Sequence, residues 1–398
     1  MFIYTVEVCD YFIKPYSCSK IIVIRKLMNT SLDRIFAFDA LRALLLIFLF
    51  ILHAGLSFMK TEANDQWFYF DTANNIFFDG LIGFITAFIM PIYFVISGLF
   101  TEFMFSRHRS HIVLLKRIKR ILIPFLLVML IIMPTVKILV AILNHHENIF
   151  IIDTFFSDSG KYIWGINTGH VWFLYYLLAF NIIHFFLVKI GVLKFISGKL
   201  KSIFLLLISV FLLLISLFFI LLMWKQNTLL GTFSLVPSVY SILGYLLFYF
   251  IGVSLPQQKA ELTVLLKLSR SFFLLGFFFL LMFFLLSFQK INILLNPMHY
   301  DLYIMLSFVC SSVFLSIGGI GLALKYYKTP NNKISFLSKS SYFLYLIHLP
   351  FVILFLILCS SLNINAFLKF FIVLFGSMLV SVGVNYIWIL LWKNKSPI

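Results

Sequence analysis

Three ionisable side chains, Asp39, Arg42 and His53, interrupt the otherwise apolar run FAFDALRALLLIFLFILHAGLSF at residues 36–58. A run of that length spans a bilayer core of about 30 Å as a helix, and ionisable groups inside such a span are costly unless they serve a purpose. Arg42 and His53 are eleven residues apart. That is about 16 Å along a helix at about 1.5 Å per residue, and about 3.6 residues per turn brings the two within about 20° of each other. One face therefore carries a permanent cation near one end and a titratable imidazole deeper in. An imidazole can take a proton from a hydroxyl, and a guanidinium can hold phosphates or a developing negative charge. Plainer roles are open to both: Arg42 can snorkel to the headgroups and pair with Asp39 one turn away, and His53 can simply bond to a neighbouring helix.

Composition sets the solvent in which this helix works. A hydrophobic fraction of 62%, 51 phenylalanines and only 11% charged residues describe an all-α polytopic membrane protein whose surroundings are mostly lipid. A net charge of +17 would point to nucleic acid in a soluble chain. Here the placement of the basic residues accounts for it, so no nucleic-acid partner is expected. Cys9, Cys18, Cys310 and Cys359 show no metal spacing and no arrangement for an external disulfide, so no metal is expected either.

Apolar runs long enough to span fall at 36–58, 76–103, 112–143, 170–189, 203–224, 233–253, 271–288, 302–324, 340–361 and 366–391, which predicts ten helices. Basic residues crowd alternate connections, with Arg107, Arg109, Lys116, Arg117, Lys119 and Arg120 in the densest group, and 24 of the 31 lie on that one side. By the positive-inside rule that side is cytoplasmic and holds both termini. Residues 1–32 are then a cytoplasmic amino-terminal segment, 33–392 the membrane domain and 393–398 a cytoplasmic tail. Residues 1–27 are polar and mixed, unlike a signal peptide; they read as an extension upstream of a second candidate start, Met28. The connection 144–169, with NHHEN and Trp164, is either a lid over an external opening or a simple connector.

Other polar positions recur at places suited to a site. Lys116, Arg117, Lys119 and Arg120 form a cluster that reads either as a topological anchor or as a socket for phosphates. Ser97 and Gly98 close the second span, where small residues ordinarily serve packing. His170 and Trp172 open the fourth span at its outer interface, and Trp172 fits an aromatic belt. In SYFLYLIH, Ser341, Tyr345 and His348 are four and three residues apart and share a helix face. Such a stripe should face protein or a cavity, as a hydrogen-bond network or as part of a site.

Taken in order, the D-x-x-R followed by His53, the FVISG at 94–98, the R-x-x-R before ILIP (Arg117, Arg120, Pro124), the HVWFL at 170–174 and the SYFLYLIH at 341–348 resemble the acyltransferase family 3 membrane proteins. Within that family the chain is most similar to the glucans biosynthesis protein C branch, implicated in succinylating periplasmic glucans. The resemblance implies a bacterial inner-membrane enzyme that moves an acyl group from cytoplasmic acyl-CoA (succinyl-CoA or acetyl-CoA) to a hydroxyl of an extracytoplasmic polysaccharide, glucan or lipopolysaccharide, with no bound cofactor. It implies His53 as the catalytic histidine with Arg42 as partner and Asp39 beside it. It also implies a donor-binding set of Arg117, Arg120, Ser97 and Gly98, and an acceptor-side or supporting set of His170, Trp172, Ser341, Tyr345 and His348. Ile89 stands where relatives carry an arginine before Met-Pro, and Thr86 where the glucan branch has histidine. The rival class is a transporter or flippase for a glycan or lipid-linked intermediate, using the same Arg42 and His53 to bind or relay protons; a catalytically dead relative with an assembly role is a third.

Overall fold

In lipid, each apolar run has to satisfy its own backbone hydrogen bonds, and a helix is the local way to do so. The computed structural model describes residues 32–61, 67–144, 168–191, 239–255, 259–288, 297–327, 329 and 331–393. Helix α1 is Leu32–Gly55, α2 Ile76–Arg107, α3 Ser110–Leu127, α4 Met133–Leu143 and α5 Trp172–Ile190. Beyond them lie α6 Val239–Ser254, α7 Lys259–Phe288, α8 Pro297–Tyr326, α9 Asn332–Ser360 and α10 Ala366–Lys393. Among the described residues there is no strand, and eight helical segments are long and apolar enough to cross a membrane, with Ile242–Ser254 as a shorter apolar helix. The protein is an all-α polytopic membrane protein. These segments coincide with the expected spans except 203–224, which lies outside the described residues, as does most of the connection 144–169.

Helix α1 is the most enclosed of the spans and packs against α2, α8, α9 and α10. Without a hydrophobic drive between helices in lipid, close approach has to come from small residues. Gly98 of α2 and Gly252 of α6 show this: a Cβ on Gly98 would collide with the Tyr249 carbonyl oxygen, and one on Gly252 with that of Val95. The two backbones meet there. Helix ends are fixed by side chains: Asn75 caps α2 by accepting from the Phe77 N–H at 2.9 Å, and Asn331 caps α9 through Lys333 and Ile334. Asp79, in the first turn of α2, accepts the backbone N–H groups of Lys60 and Thr61 at 2.9 Å each, which ties the chain leaving α1 to the start of α2.

Helices α3 and α4 are one span, joined by a π-helical turn at Val128–Ile132 four residues beyond Pro124. A π turn shifts the helical register of the residues beyond it. There α4 packs on α9 and brings Met133 against Gly169. Gly169 has φ +51°, and a Cβ there would lie 2.5 Å from the Met133 methyl carbon, so both conformation and space call for glycine immediately before His170.

Candidate active site

Three histidines meet inside the bundle: His53 of α1, His348 of α9 and His170 just ahead of α5. They are 9%, 0% and 4% exposed, so their hydrogen bonds are made within the protein. The ring centroids of His53 and His348 are 4.8 Å apart and those of His170 and His348 5.1 Å. Each ring turns one nitrogen to a helix carbonyl: His53 Nδ1 to Leu49 at 3.0 Å, His348 Nδ1 to Tyr345 at 2.8 Å and His170 Nε2 to Leu346 at 3.2 Å. A carbonyl only accepts, so with neutral rings those three nitrogens carry the N–H. His53 Nδ1 also lies 3.2 Å from His348 Nε2, and the Tyr345 hydroxyl donates to the His170 carbonyl at 2.6 Å. Among the described residues no group of three or more His, Cys, Asp or Glu is arranged to hold a metal ion.

Proline explains how His170 reaches α9. Pro350 lies inside α9 and has no N–H, so the Leu346 carbonyl four residues earlier loses its helical donor. His170 supplies the replacement. The same device works on α3: Pro124 leaves the Arg120 carbonyl without its donor, and the Tyr342 hydroxyl of α9 donates to it at 2.9 Å. Each proline costs its helix a bond and gives a neighbouring helix a fixed point of attachment.

In the described part of the chain between α1 and α2, Trp67 packs against His53. Trp67 sits 5.8 Å from the His53 ring, centroid to centroid, and donates from Nε1 to the Ser57 hydroxyl at 2.7 Å. Asp71 anchors this stretch: its N–H donates to the Ser57 carbonyl at 2.8 Å, and its carboxylate takes both 2.8 and 2.9 Å bonds from Lys369 of α10. Both members of that ion pair are buried. Tyr69 donates to the same carboxylate at 3.2 Å, and burial together with the Asp71 charge pushes its phenol up to about 12, so it remains a donor across the physiological range.

Toward the other end of α1 the chemistry is cationic. Arg42 Nη1 lies 3.4 Å from Asp39, and its guanidinium stands 4.5 Å over the Phe100 ring, a cation–π placement. Asp39 also accepts from the Ser338 hydroxyl of α9 at 2.9 Å. Arg42, Arg117 and Arg120 are close enough for their charges to act on one another, and Arg117 Nε is buried with no hydrogen-bond partner. Three guanidinium groups gathered against mutual repulsion suit a polyanion.

The expected residues therefore separate into groups. His53, His170, Tyr345 and His348 converge, and Asp39, Arg42, Arg117 and Arg120 gather toward the other end of α1. His170, expected at an outer interface, is buried against α9. Trp172 is also buried, among the rings of Phe94, Tyr176 and Tyr245. Ser341 donates back to the Ser338 carbonyl of its own helix at 2.8 Å, Ser97 Oγ is buried without a partner, and Gly98 abuts the α6 backbone. Sequence reading missed Trp67, Ser57 and Ser338, and a second polar centre in which His184 of α5 lies 3.1 Å from Glu102 of α2 and 3.1 Å from the Tyr249 hydroxyl of α6. Glu102 and His184 were legible only as lone ionisable residues in apolar runs.

An all-α polytopic bundle with a histidine centre buried between its helices defines a membrane-embedded class of protein. The family model described as an acyltransferase domain matches residues 35–386, a stretch that holds every residue of this site, so the chain belongs to acyltransferase family 3 and is a membrane acyltransferase for groups other than amino-acyl groups. No curated protein and no solved structure matches the chain.

Proposed function

We propose that the enzyme moves an acyl group from cytoplasmic acyl-CoA to a hydroxyl of an extracytoplasmic polysaccharide, glucan or lipopolysaccharide, in a bacterial inner membrane. The observation that carries this reading is the disposition of His53: both of its hydrogen bonds fall on Nδ1, which leaves Nε2 with a lone pair for an incoming hydroxyl. His53 Nε2 takes the hydroxyl proton as the oxygen attacks the thioester carbonyl. Collapse of the tetrahedral intermediate breaks the carbon–sulfur bond, and the CoA thiolate recovers the proton from His53. Ester and free thiol result, with no net proton. Arg42, about 16 Å away along α1, together with Arg117 and Arg120 of α3 holds the phosphates of the donor, and its pantetheine arm bridges the distance.

Acetyl suits this site better than succinyl. A succinyl group would bring a free carboxylate that needs a cation when buried. Among the described residues, the rings around the histidines are Phe50, Trp67 and Tyr345, and Lys369 is committed to Asp71. Ile89, at the family's arginine position, is 1% exposed in the apolar core. Thr86 donates to the Ile82 and Gly83 carbonyls of its own helix, so it does not replace the branch's histidine. Mass spectrometry of surface and periplasmic glycans from cells carrying wild type, His53→Ala or Arg42→Ala at matched membrane levels tests the reading. An ester found only with wild type supports it, and the added mass names the acyl group. Identical glycan masses with altered glycan export would replace it by the transporter reading.

A further inference from the structure

A histidine base works through one nitrogen, and something has to decide which. The Tyr345 carbonyl takes the Nδ1 proton of His348, so a neutral His348 presents Nε2 as an acceptor. The group facing it is His53 Nδ1, which must then donate. Leu49 accepts from the same nitrogen at 3.0 Å, so one proton is shared between two acceptors. The two are unequal: a carbonyl four residues back in a helix already accepts the backbone N–H of residue 53, whereas the His348 lone pair has no other use and belongs to a far stronger base.

We infer that His348 is a positioning residue for acyl transfer: its Nε2 accepts the His53 Nδ1 proton, which commits His53 Nε2 to the acceptor hydroxyl, and it shares the charge that His53 acquires. This rests on His53 being the base. When His53 gains the hydroxyl proton it becomes an imidazolium, and neither of its Nδ1 contacts is a carboxylate; the bond to His348 is the one that strengthens. The proton on His53 Nδ1 can pass wholly to His348 Nε2 and return before the thiolate is protonated, with no other group gaining or losing one. A neutral imidazole thus occupies the place that a carboxylate fills in a Ser-His-Asp arrangement, which suits a site enclosed by aromatic rings.

The inference is tested on full-length protein in nanodiscs. Nitrogen NMR of imidazole-labelled histidine, assigned through His53→Gln and His348→Gln, reads the tautomers directly, without turnover. CoA thiol release from acetyl-CoA, with periplasmic glycan from the parent cells as acceptor, gives kcat and KM. The expected result is His53 protonated on Nδ1 and bare at Nε2 in the wild type. His348→Leu is expected to lose about 10- to 100-fold in kcat, with KM for acetyl-CoA changed less than about twofold. His348→Gln, whose amide oxygen can accept in place of Nε2, should recover most of the loss. A His53 protonated on Nε2, an undiminished kcat in His348→Leu, or no recovery in His348→Gln would each overturn the inference. Transfer retained by His53→Ala would sink the base reading and this inference with it, while leaving the tautomer measurement intact.

Discussion

Two buried histidine centres lie in this bundle, and they differ in what their nitrogens are doing. His184 has one ring nitrogen 3.1 Å from the Glu102 carboxylate and the other 3.1 Å from the Tyr249 hydroxyl, so its capacity is used up in joining α2, α5 and α6. His53 has both of its bonds at Nδ1, and its neighbours His348 and His170 each spend one nitrogen on a helix carbonyl. Burial alone therefore does not mark a catalytic histidine. A saturated imidazole beside a carboxylate serves as a joint between helices, and an imidazole with a lone pair in reserve can do chemistry. The Asp71–Lys369 pair extends the contrast, because there full charges are buried and spent on anchoring the chain that packs against His53.

Removing the histidine of each centre in turn should sharpen that contrast most. His53→Ala is expected to lower acyl transfer by about 10²- to 10⁴-fold, the usual worth of a general base, with a smaller loss of thermal stability than His184→Ala, which takes a bond from the Glu102 carboxylate. His184→Ala should keep most of the activity but cost about 1–3 kcal/mol of stability, because it strips a hydrogen bond from buried polar groups; thermal unfolding in detergent beside the transfer assay separates the two. Equal activity losses with unchanged stability in both variants would erase the distinction. Next comes Lys369→Met, which leaves Asp71 buried without its partner and should cost about 3–5 kcal/mol. The double variant Asp71→Leu with Lys369→Met should recover much of that loss in the same unfolding measurement. The smallest effect is expected from Pro350→Ala. It restores a backbone N–H to compete for the Leu346 carbonyl, so His170 should loosen, kcat should fall by up to about tenfold through misplacement, and stability should hold or rise.

The arrangement of helices was largely legible because bilayer thickness translates directly into run length. The expected 36–58, 76–103, 302–324 and 366–391 overlie Phe36–Phe58, Ile76–Arg107, Tyr303–Tyr326 and Ala366–Leu391. Shared helix faces were legible for the same reason: Arg42 with His53, and Tyr345 with His348, follow from a fixed turn angle. Pairings between helices were not. Ser341 looked like part of the Tyr345–His348 stripe, yet its hydroxyl returns to its own helix, while Ser338, one turn earlier, reaches Asp39. The prolines at 124 and 350 were visible in their motifs, but a freed carbonyl does not say which side chain will take it.

The sequence by itself determined that this chain lives in a membrane as a helical bundle, that a cation and an imidazole share one face of its first span, and that the ordered motifs belong to an acyltransferase. The first two follow from local quantities, namely hydropathy, rise per residue and turn angle; the third rests on the resemblance of the ordered motifs to acyltransferase family 3. The tertiary structure alone decided that His348 brings His53 and His170 together, that Trp67 packs against His53, that His184 is saturated by Glu102 and Tyr249, and that Arg42 stands near Arg117 and Arg120. Those contacts join residues as much as 295 positions apart, and in lipid they depend on where glycines and prolines let backbones approach and carbonyls go free, which no period along the chain encodes.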